Sequence, residues 1–322
     1  MLNAYYIIAL SGLCYLYRFL LRSDLPEHPP RPKAGLYSLP ESVKHNILNH
    51  IYPVDIYPGV HWAELPRGRV HYWIFGPQNG KKVVLVSGYS APAFIWRHVA
   101  PRIAESGCRV LVYDLYGRGY SDSPVSHYDL GLFTEQLALL MQYINWQSAT
   151  LVGLSMGGAI VAGMVNQFPH LVDSQVVLIA STGLIETAPR GLNFRTSRLM
   201  RTLAEKTFVR RVRSTNFVLP VEETKKDALL VEIQSHYLPT FDSTLLLTQR
   251  YGPRRGQHQS FSSAHFAGRR VLLINGTKDA VVPLSHPQHI IKLLEPHTSA
   301  ELVYIEGAGH ELVVSHHEEV HC

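Results

Sequence analysis

One serine stands in a pattern that can perform nucleophilic chemistry: Gly153-Leu154-Ser155-Met156-Gly157, between a stretch with the composition of a buried strand and one with helical apolar spacing. A sharp strand-to-helix turn would raise the Ser155 hydroxyl above a sheet, and the two glycines would let both backbones approach closely. The N-terminus of the following helix favours developing negative charge. The pattern predicts Ser155 as a nucleophile; the alternative is a glycine-rich turn without chemistry.

Such a serine needs a histidine base and a carboxylate, and both follow it in the chain in the expected order. Asp279 (in LINGTKDAVVP) and His310 (in IEGAGH) each come directly after a predicted strand. We therefore expect both beside Ser155, with His310 as general base and Asp279 fixing its tautomer. The alternatives are a surface-turn role for Asp279 and Glu186, after the preceding strand, as the acid.

The oxyanion that forms during acyl transfer needs two backbone N–H donors. Met156, directly after the nucleophile, is one candidate, and Tyr89, in the loop after the strand that ends at Ser87, is the other. Gly88 would allow this loop to turn inward. We expect no metal and no cofactor, because the histidine-rich tail over 316–322 is more typical of a solvated terminal helix than of a metal site.

Apolar strand patterns alternate with helical patterns along most of the chain, which predicts a mostly parallel sheet covered on both faces. The alternation breaks at Gly183 and resumes near residue 271, and the intervening segment is predicted to form a helical cap. Predicted strands cover 70–75, 82–88, 109–114, 149–154, 176–181, 271–276 and 301–307, and predicted helices cover 95–106, 133–144, 156–168 and 286–295.

These patterns divide the chain into five parts. The proline-rich residues 24–40 are predicted to be a stiff, extended linker. The predicted parts are a membrane anchor over 1–22, a linker and N-terminal extension over 23–59, the first part of the core over 60–182, the helical cap over 183–264 and the second part of the core over 265–322.

The N-terminus predicts a single membrane anchor. Residues 4–17 carry no charge, and the apolar run reaches about 20 residues, the length of a spanning helix. The basic residues that follow place the catalytic domain on the cytoplasmic side, and three widely spaced cysteines favour a reducing compartment. A cleaved signal peptide and a core helix remain the alternatives. The basic residues after the apolar run are Arg18, Arg22, Arg31 and Lys33, and the three cysteines are Cys14, Cys108 and Cys322.

Positive charge is concentrated in one segment. Residues 190–226 hold ten Lys and Arg but three Asp and Glu, a net charge of +7, whereas the whole chain carries +5. Within it, residues 194–214 have the pattern of a basic amphipathic helix, which suits an anionic membrane surface; a cap helix with a solvated basic face is the alternative. The sequence indicates no nucleic-acid partner and no obligate protein partner.

Six motifs together resemble the α/β-hydrolase superfamily: VSGYS, DLYGRGYSD, LVGLSMGG, VVLIASTGL, INGTKDAVVP and GAGH, in this order between residues 60 and 315. The chain looks most like the branch of membrane-anchored monoacylglycerol lipases and meta-cleavage C–C hydrolases. The resemblance implies a triad of Ser155, Asp279 and His310 beneath a helical cap. It departs where many members have His-Gly and this chain has Ser87-Gly88.

The leading functional hypothesis is a serine hydrolase that cleaves the ester of a hydrophobic acyl substrate such as a monoacylglycerol. A meta-cleavage C–C hydrolase would use the same residues, and a hydrolase-fold ligand receptor with negligible turnover is a third possibility. Haloalkane dehalogenases and epoxide hydrolases are disfavoured, because those enzymes have aspartate where this chain has Ser155, at the strand-to-helix turn called the nucleophile elbow.

Overall fold

The computed structural model describes residues 35–185, 222–238 and 240–320. Eight strands form one sheet in the order β1-β2-β4-β3-β5-β6-β7-β8. The pairs β1/β2 and β2/β4 are antiparallel and the others are parallel. The strands are β1 (Val60–Leu65), β2 (Gly68–Phe75), β3 (Lys82–Val86), β4 (Arg109–Tyr113), β5 (Ala149–Leu154), β6 (Val172–Ile179), β7 (Arg270–Gly276) and β8 (Ala300–Ile305).

Helices cover both faces of the sheet. Short helical turns precede β1 over 36–38 and 41–51 and lie at Ala93–Trp96, Pro169–Leu171 and Ala264–Phe266. The longer helices are α1 (Val99–Glu105), α2 (Leu130–Tyr143), α3 (Met156–Gln167), α4 (Glu222–Tyr237), α5 (Phe241–Tyr251) and α7 (Ser285–Leu294), and the single-turn helices are α6 (His258–Phe261), α8 (Leu312–Ser315) and α9 (His317–Val320).

Burial of the strands follows their position in the sheet. All six residues of the central β5 are buried, whereas the edge strand β8 exposes three of its six. A continuous apolar run is what a parallel strand covered on both faces requires. The prediction of an α/β-hydrolase fold with a mostly parallel, doubly covered sheet is confirmed.

Two features of the N-terminal part differ from the sequence-based expectation. The first strand, β1, was not predicted, because VHWAEL mixes polar and apolar residues on an edge strand. Residues 35–40 were predicted as part of an extended linker, but here Leu36 and Leu39 are buried in the core. The Leu36 amide donates to the Gly119 carbonyl oxygen at 2.8 Å. Their apolar side chains therefore outweigh the proline-rich composition around them.

The predicted cap is described in part, by α4, α5 and α6. A buried ion pair attaches α4 to the core: both terminal nitrogens of Arg97 bond the Asp227 carboxylate, at 3.0 and 2.9 Å. The Gly119 amide also donates to the Gln234 side chain at 2.7 Å. The five-part division of the chain stays a prediction.

Several predicted features lie outside the described residues. They are the anchor over 1–22, the basic helix over 194–214 and the alternative acid Glu186. In the described ranges, no helix combines the length and apolar character needed to cross a bilayer.

Candidate active site

The turn between β5 and α3 places Ser155 in a strained backbone conformation, with φ 55° and ψ −117°. Its amide donates to the Ile179 carbonyl oxygen at 2.8 Å. Its carbonyl oxygen accepts from Gly158 and Thr182, each at 3.0 Å. A non-glycine residue keeps such a conformation only when its surroundings fix it, as these three bonds do. This backbone conformation directs the Ser155 side chain toward the carboxyl edge of the sheet.

Small residues around the turn are required by close backbone approach. A Cβ atom on Gly153 would lie 2.4 Å from the Gly157 carbonyl oxygen, and one on Gly157 would lie 2.2 Å from the Val86 carbonyl oxygen. A Cβ on Gly88 would meet the Ser155 Cβ at 3.3 Å. The first two glycines let strand and helix approach closely, and Gly88 keeps the space beside Ser155 open.

Three side chains that lie far apart in the sequence meet at this edge. His310 Nε2 lies 2.9 Å from Ser155 Oγ, and His310 Nδ1 lies 2.8 Å from Asp279 Oδ2. The other carboxylate oxygen of Asp279 accepts from the amides of Val281 and Val282, both at 2.8 Å. The Asp279 side chain is fully buried, whereas that of His310 is 14% exposed. The geometry is that of a nucleophile, a base and an orienting carboxylate.

A second imidazole, His286, lies close enough to Asp279 for that charge to act on its pKa. Burial is the main cause that lowers the pKa of His286 to about 4, and the neighbouring His289 lowers it further. His286 is therefore neutral at neutral pH and brings no second positive charge to Asp279. The carboxylate is left to stabilise a protonated His310.

The two backbone amides predicted to bind the oxyanion are available to donate a hydrogen bond to it. Among the described residues, neither the Met156 amide nor the Tyr89 amide has a hydrogen-bond acceptor. Gly88, next to Tyr89, lies against Ser155, so the loop passes directly beside that residue. The hydroxyl of Ser87, which stands where many family members have histidine, is buried without a partner in the described part of the chain.

Arg118 is a residue of this site that the sequence reasoning missed. Its buried guanidinium donates from Nε to the Tyr89 carbonyl oxygen at 2.7 Å. Its other nitrogens donate to the hydroxyls of Thr244 and Thr248 on α5, at 3.0 and 2.9 Å. Burial lowers the pKa of Arg118 to about 10, so it stays charged at neutral pH. Arg118 thus ties the candidate oxyanion loop to the cap, and the signals that could have pointed to it were its place in the motif DLYGRGYSD and in a loop after β4.

Among the described residues, no group of His, Cys, Asp and Glu side chains is arranged to hold a metal ion. The polar side chain that contacts Ser155 Oγ is the imidazole of His310, and the amides of Met156 and Tyr89 belong to the residues that flank or neighbour this turn. This set can move a proton and stabilise an oxyanion.

Comparison with known proteins agrees with this fold. A family described as alpha/beta hydrolase fold matches residues 81–316. The chain belongs to this family. Among solved structures of the fold, bromoperoxidase from Bacillus anthracis superposes with a TM-score of 0.67 at 21% identity, covering 82% of this chain and 97% of that one. A membrane phospholipase A described as a bacterial virulence factor gives a TM-score of 0.66 at 20% identity, covering 99% of this chain and 94% of that one.

Curated relatives match this alpha/beta hydrolase over stretches of different length, several of them short. Bifunctional epoxide hydrolase 2 of Sus scrofa is 30% identical over 135 residues, which make up 41% of this chain and 22% of that protein. The matches to that protein and to an uncharacterized protein of Mycobacterium bovis span 22% and 30% of those proteins' own lengths. The resemblance to the α/β-hydrolase superfamily that the motifs predicted is confirmed, at the level of the family.

Proposed function

We propose that this chain is a serine esterase that uses Ser155, His310 and Asp279 as a catalytic triad. The observation that carries the proposal is the unbroken hydrogen-bond chain from Ser155 Oγ through both ring nitrogens of His310 to Asp279. In the reaction, His310 Nε2 takes the hydroxyl proton while Ser155 attacks the ester carbonyl. Asp279 keeps the other ring nitrogen protonated and stabilises the imidazolium.

The oxyanion of the tetrahedral intermediate is held by the amides of Met156 and Tyr89. His310 then gives its proton to the leaving alcohol, and Ser155 is left as an acyl-enzyme. A water molecule, deprotonated by the same His310, attacks this acyl group and releases the acid. Every proton thus passes through one imidazole, which is returned to its neutral form at the end of each turnover.

Serine at the elbow is the reason to propose ester cleavage rather than epoxide opening, although one relative is named an epoxide hydrolase. Epoxide hydrolases have aspartate at this position, whose carboxylate forms an ester that water then cleaves. Ser155 would form an ether with an opened epoxide, which water does not readily hydrolyse. A carbonyl substrate is the one that Ser155 can both bind covalently and release.

The substrate proposed is an ester with a hydrophobic acyl chain, delivered from a membrane to which residues 1–22 anchor the protein with its catalytic domain in the cytoplasm. The support is the apolar N-terminal sequence and the basic segment 190–226. Protease treatment of intact membranes tests this arrangement: the catalytic domain should be digested without detergent, and a protected domain would refute the orientation.

Hydrolysis of p-nitrophenyl esters of increasing chain length tests the activity. Wild type should release p-nitrophenol and Ser155→Ala should release it at the rate of buffer. Ser174→Ala, at an exposed position of β6, is the matched control and should retain wild-type rates. Equal rates for wild type and Ser155→Ala would overturn the proposal.

A further inference from the structure

Two arginines lie against Tyr89, whose amide is the proposed oxyanion donor. The guanidinium carbon of Arg118 is 5.8 Å from the centre of the Tyr89 ring, and that of Arg254 is 4.8 Å from it. The Tyr89 hydroxyl donates to the Leu245 carbonyl oxygen at 2.5 Å, so its ring spans from the oxyanion loop to α5. Positive charge therefore lies against the side chain of the residue that carries the proposed oxyanion donor.

The guanidinium groups of these two arginines differ in their hydrogen-bond partners. Arg118 is fully buried, and its nitrogens bond four neutral oxygen atoms around the loop and α5. Arg254 is half-buried, and in the described part of the chain its one side-chain hydrogen bond goes to the Gln249 side chain. A guanidinium has five N–H donors. Arg254 therefore has N–H donors available for a ligand, whereas Arg118 uses its donors to hold the Tyr89 loop to α5.

No carboxylate neutralises Arg254 within the described ranges. The groups whose charge acts on the pKa of Arg254 are the Tyr89 phenol and a second cation, Arg255. Burial is the main cause that keeps the pKa of Arg254 below its usual value, and repulsion by Arg255 lowers it further. A partly desolvated cation beside a second cation is stabilised when an anion joins it.

The Arg254 backbone connects the residue to the nucleophile. Its carbonyl oxygen accepts from the Gly183 amide at 2.9 Å, and the adjacent Thr182 amide donates to the Ser155 carbonyl oxygen at 3.0 Å. Arg254 is thus held near the elbow on one side, and its side chain packs on the oxyanion loop on the other. Substituting its side chain leaves these backbone bonds in place.

We propose that Arg254 forms an anion-binding subsite beside the oxyanion hole, so that the preferred substrates are esters that carry a carboxylate or phosphate near the scissile bond. The inference rests on the proposed ester hydrolysis and names the class of ester. Arginine suits this role because its planar fork bonds both carboxylate and phosphate with two parallel N–H groups.

Two matched substrate pairs test the preference and distinguish where the anion lies. Mono-p-nitrophenyl glutarate and p-nitrophenyl pentanoate have five-carbon acyl groups and differ by a charge on the acyl side. 1-Decanoylglycerol 3-phosphate and 1-decanoylglycerol differ by a charge on the alcohol side. In at least one pair, wild type should favour the anionic ester in kcat/KM, and Arg254→Gln should remove at least about tenfold of this preference, mainly through KM.

The controls separate charge recognition from damage to the fold. Arg254→Gln should lower kcat/KM for the anionic ester at least about tenfold more than kcat/KM for the neutral ester of the same pair. Arg254→Lys should keep part of the preference, because it keeps the charge but loses the fork. Arg270→Gln, at the exposed start of β7, should behave as wild type. Equal losses on both members of each pair, or no wild-type preference in either pair, would overturn the subsite.

Binding to the Ser155→Ala protein makes this test independent of turnover. Calorimetric titration should show the anionic ester of the responsive pair binding at least about tenfold more tightly than its neutral partner, and Ser155→Ala/Arg254→Gln should bind both equally. Equal binding of both esters to Ser155→Ala would refute the anion subsite. Failure of ester hydrolysis itself would instead appear as equal turnover by wild type and Ser155→Ala.

Discussion

The Nδ1 atom of His310 lies 2.8 Å from Oδ2 of Asp279, while Oδ1 of the same carboxylate is occupied by two backbone amides. The carboxylate can therefore turn only one oxygen toward the imidazole. This arrangement requires the His310 proton to reside on Nδ1 and leaves Nε2 as an acceptor for the Ser155 hydroxyl.

Asp279→Asn should lower kcat for p-nitrophenyl acetate by about 10⁴-fold. The amide oxygen would keep the contacts to Val281 and Val282, so the side-chain NH₂ would face His310 and shift its proton to Nε2. Rates should be measured together with circular dichroism, which should be unchanged. Asp55→Asn, at an exposed position, is the control and should retain full activity. An Asp279→Asn enzyme within tenfold of wild type would show that another acid orients His310.

Gly157→Ala should destabilise the protein by about 2 kcal/mol or more, because the added Cβ would lie 2.2 Å from the Val86 carbonyl oxygen. Gly131→Ala is the matched control in the first turn of α2, where the nearest atom to an added Cβ is 3.4 Å away. This control should be neutral or gain up to about 1 kcal/mol from helix propensity. Urea unfolding measures both, and equal midpoints would contradict the tight elbow packing.

The buried imidazole of His71 should make the folded state sensitive to acid. It is enclosed by the rings of Trp62, Trp73 and Tyr120, with centroid distances of 4.4, 4.2 and 4.9 Å. Burial lowers the pKa of His71 to about 3. Asp114, 3.9 Å away, offers no counter-charge in acid, because burial raises its pKa to about 7 and it is then protonated.

Between pH 6.5 and 3, the unfolded chain therefore binds a proton at His71 that the folded chain does not. Stability from this group is complete above pH 6.5 and falls by about 1.4 kcal/mol for each pH unit below it. Replacing His71 by Phe should make the loss between pH 6.5 and 4.5 smaller by about 2 kcal/mol. Urea unfolding at both pH values measures this, with exposed His170→Gln as control. An unchanged loss in His71→Phe would contradict the assignment.

Asp227→Ala should cost about 3 kcal/mol in unfolding free energy, because it leaves the Arg97 guanidinium buried without its carboxylate. The two side chains are 8% and 3% exposed. Glu41→Ala breaks the exposed pair with Lys44 and should cost less than about 1 kcal/mol. Equal losses in the two variants would show that the Arg97–Asp227 pair does not hold α4 to the core.

The sequence predicts those parts of the site that local patterns determine. Ser155, Asp279 and His310 each follow a strand with a clear apolar run, and parallel strands bring their carboxyl ends to one edge. Arg118 shows why other parts are missed: its target is the Tyr89 carbonyl oxygen, which only the folded loop brings within 2.7 Å.

The structure of the N-terminal segment was not predicted from the sequence for a related reason. Leu36 stands in a proline-rich stretch that reads locally as a linker, and its burial depends on the loop that contains Gly119. The strand β1 is stabilised by its pairing with β2, and its mixed polarity gives little periodicity to recognise.

Covalent labelling with a fluorophosphonate tests the central claim most directly, because the reagent needs an activated serine and no assumption about the substrate. Intact-mass spectrometry of the wild type should show a single adduct, and peptide mapping should place it on Ser155. Ser155→Ala should show none, and Asp279→Asn should label far more slowly than wild type. An adduct that persists in Ser155→Ala, or a wild type that does not react, would contradict the assignment of Ser155 as the nucleophile.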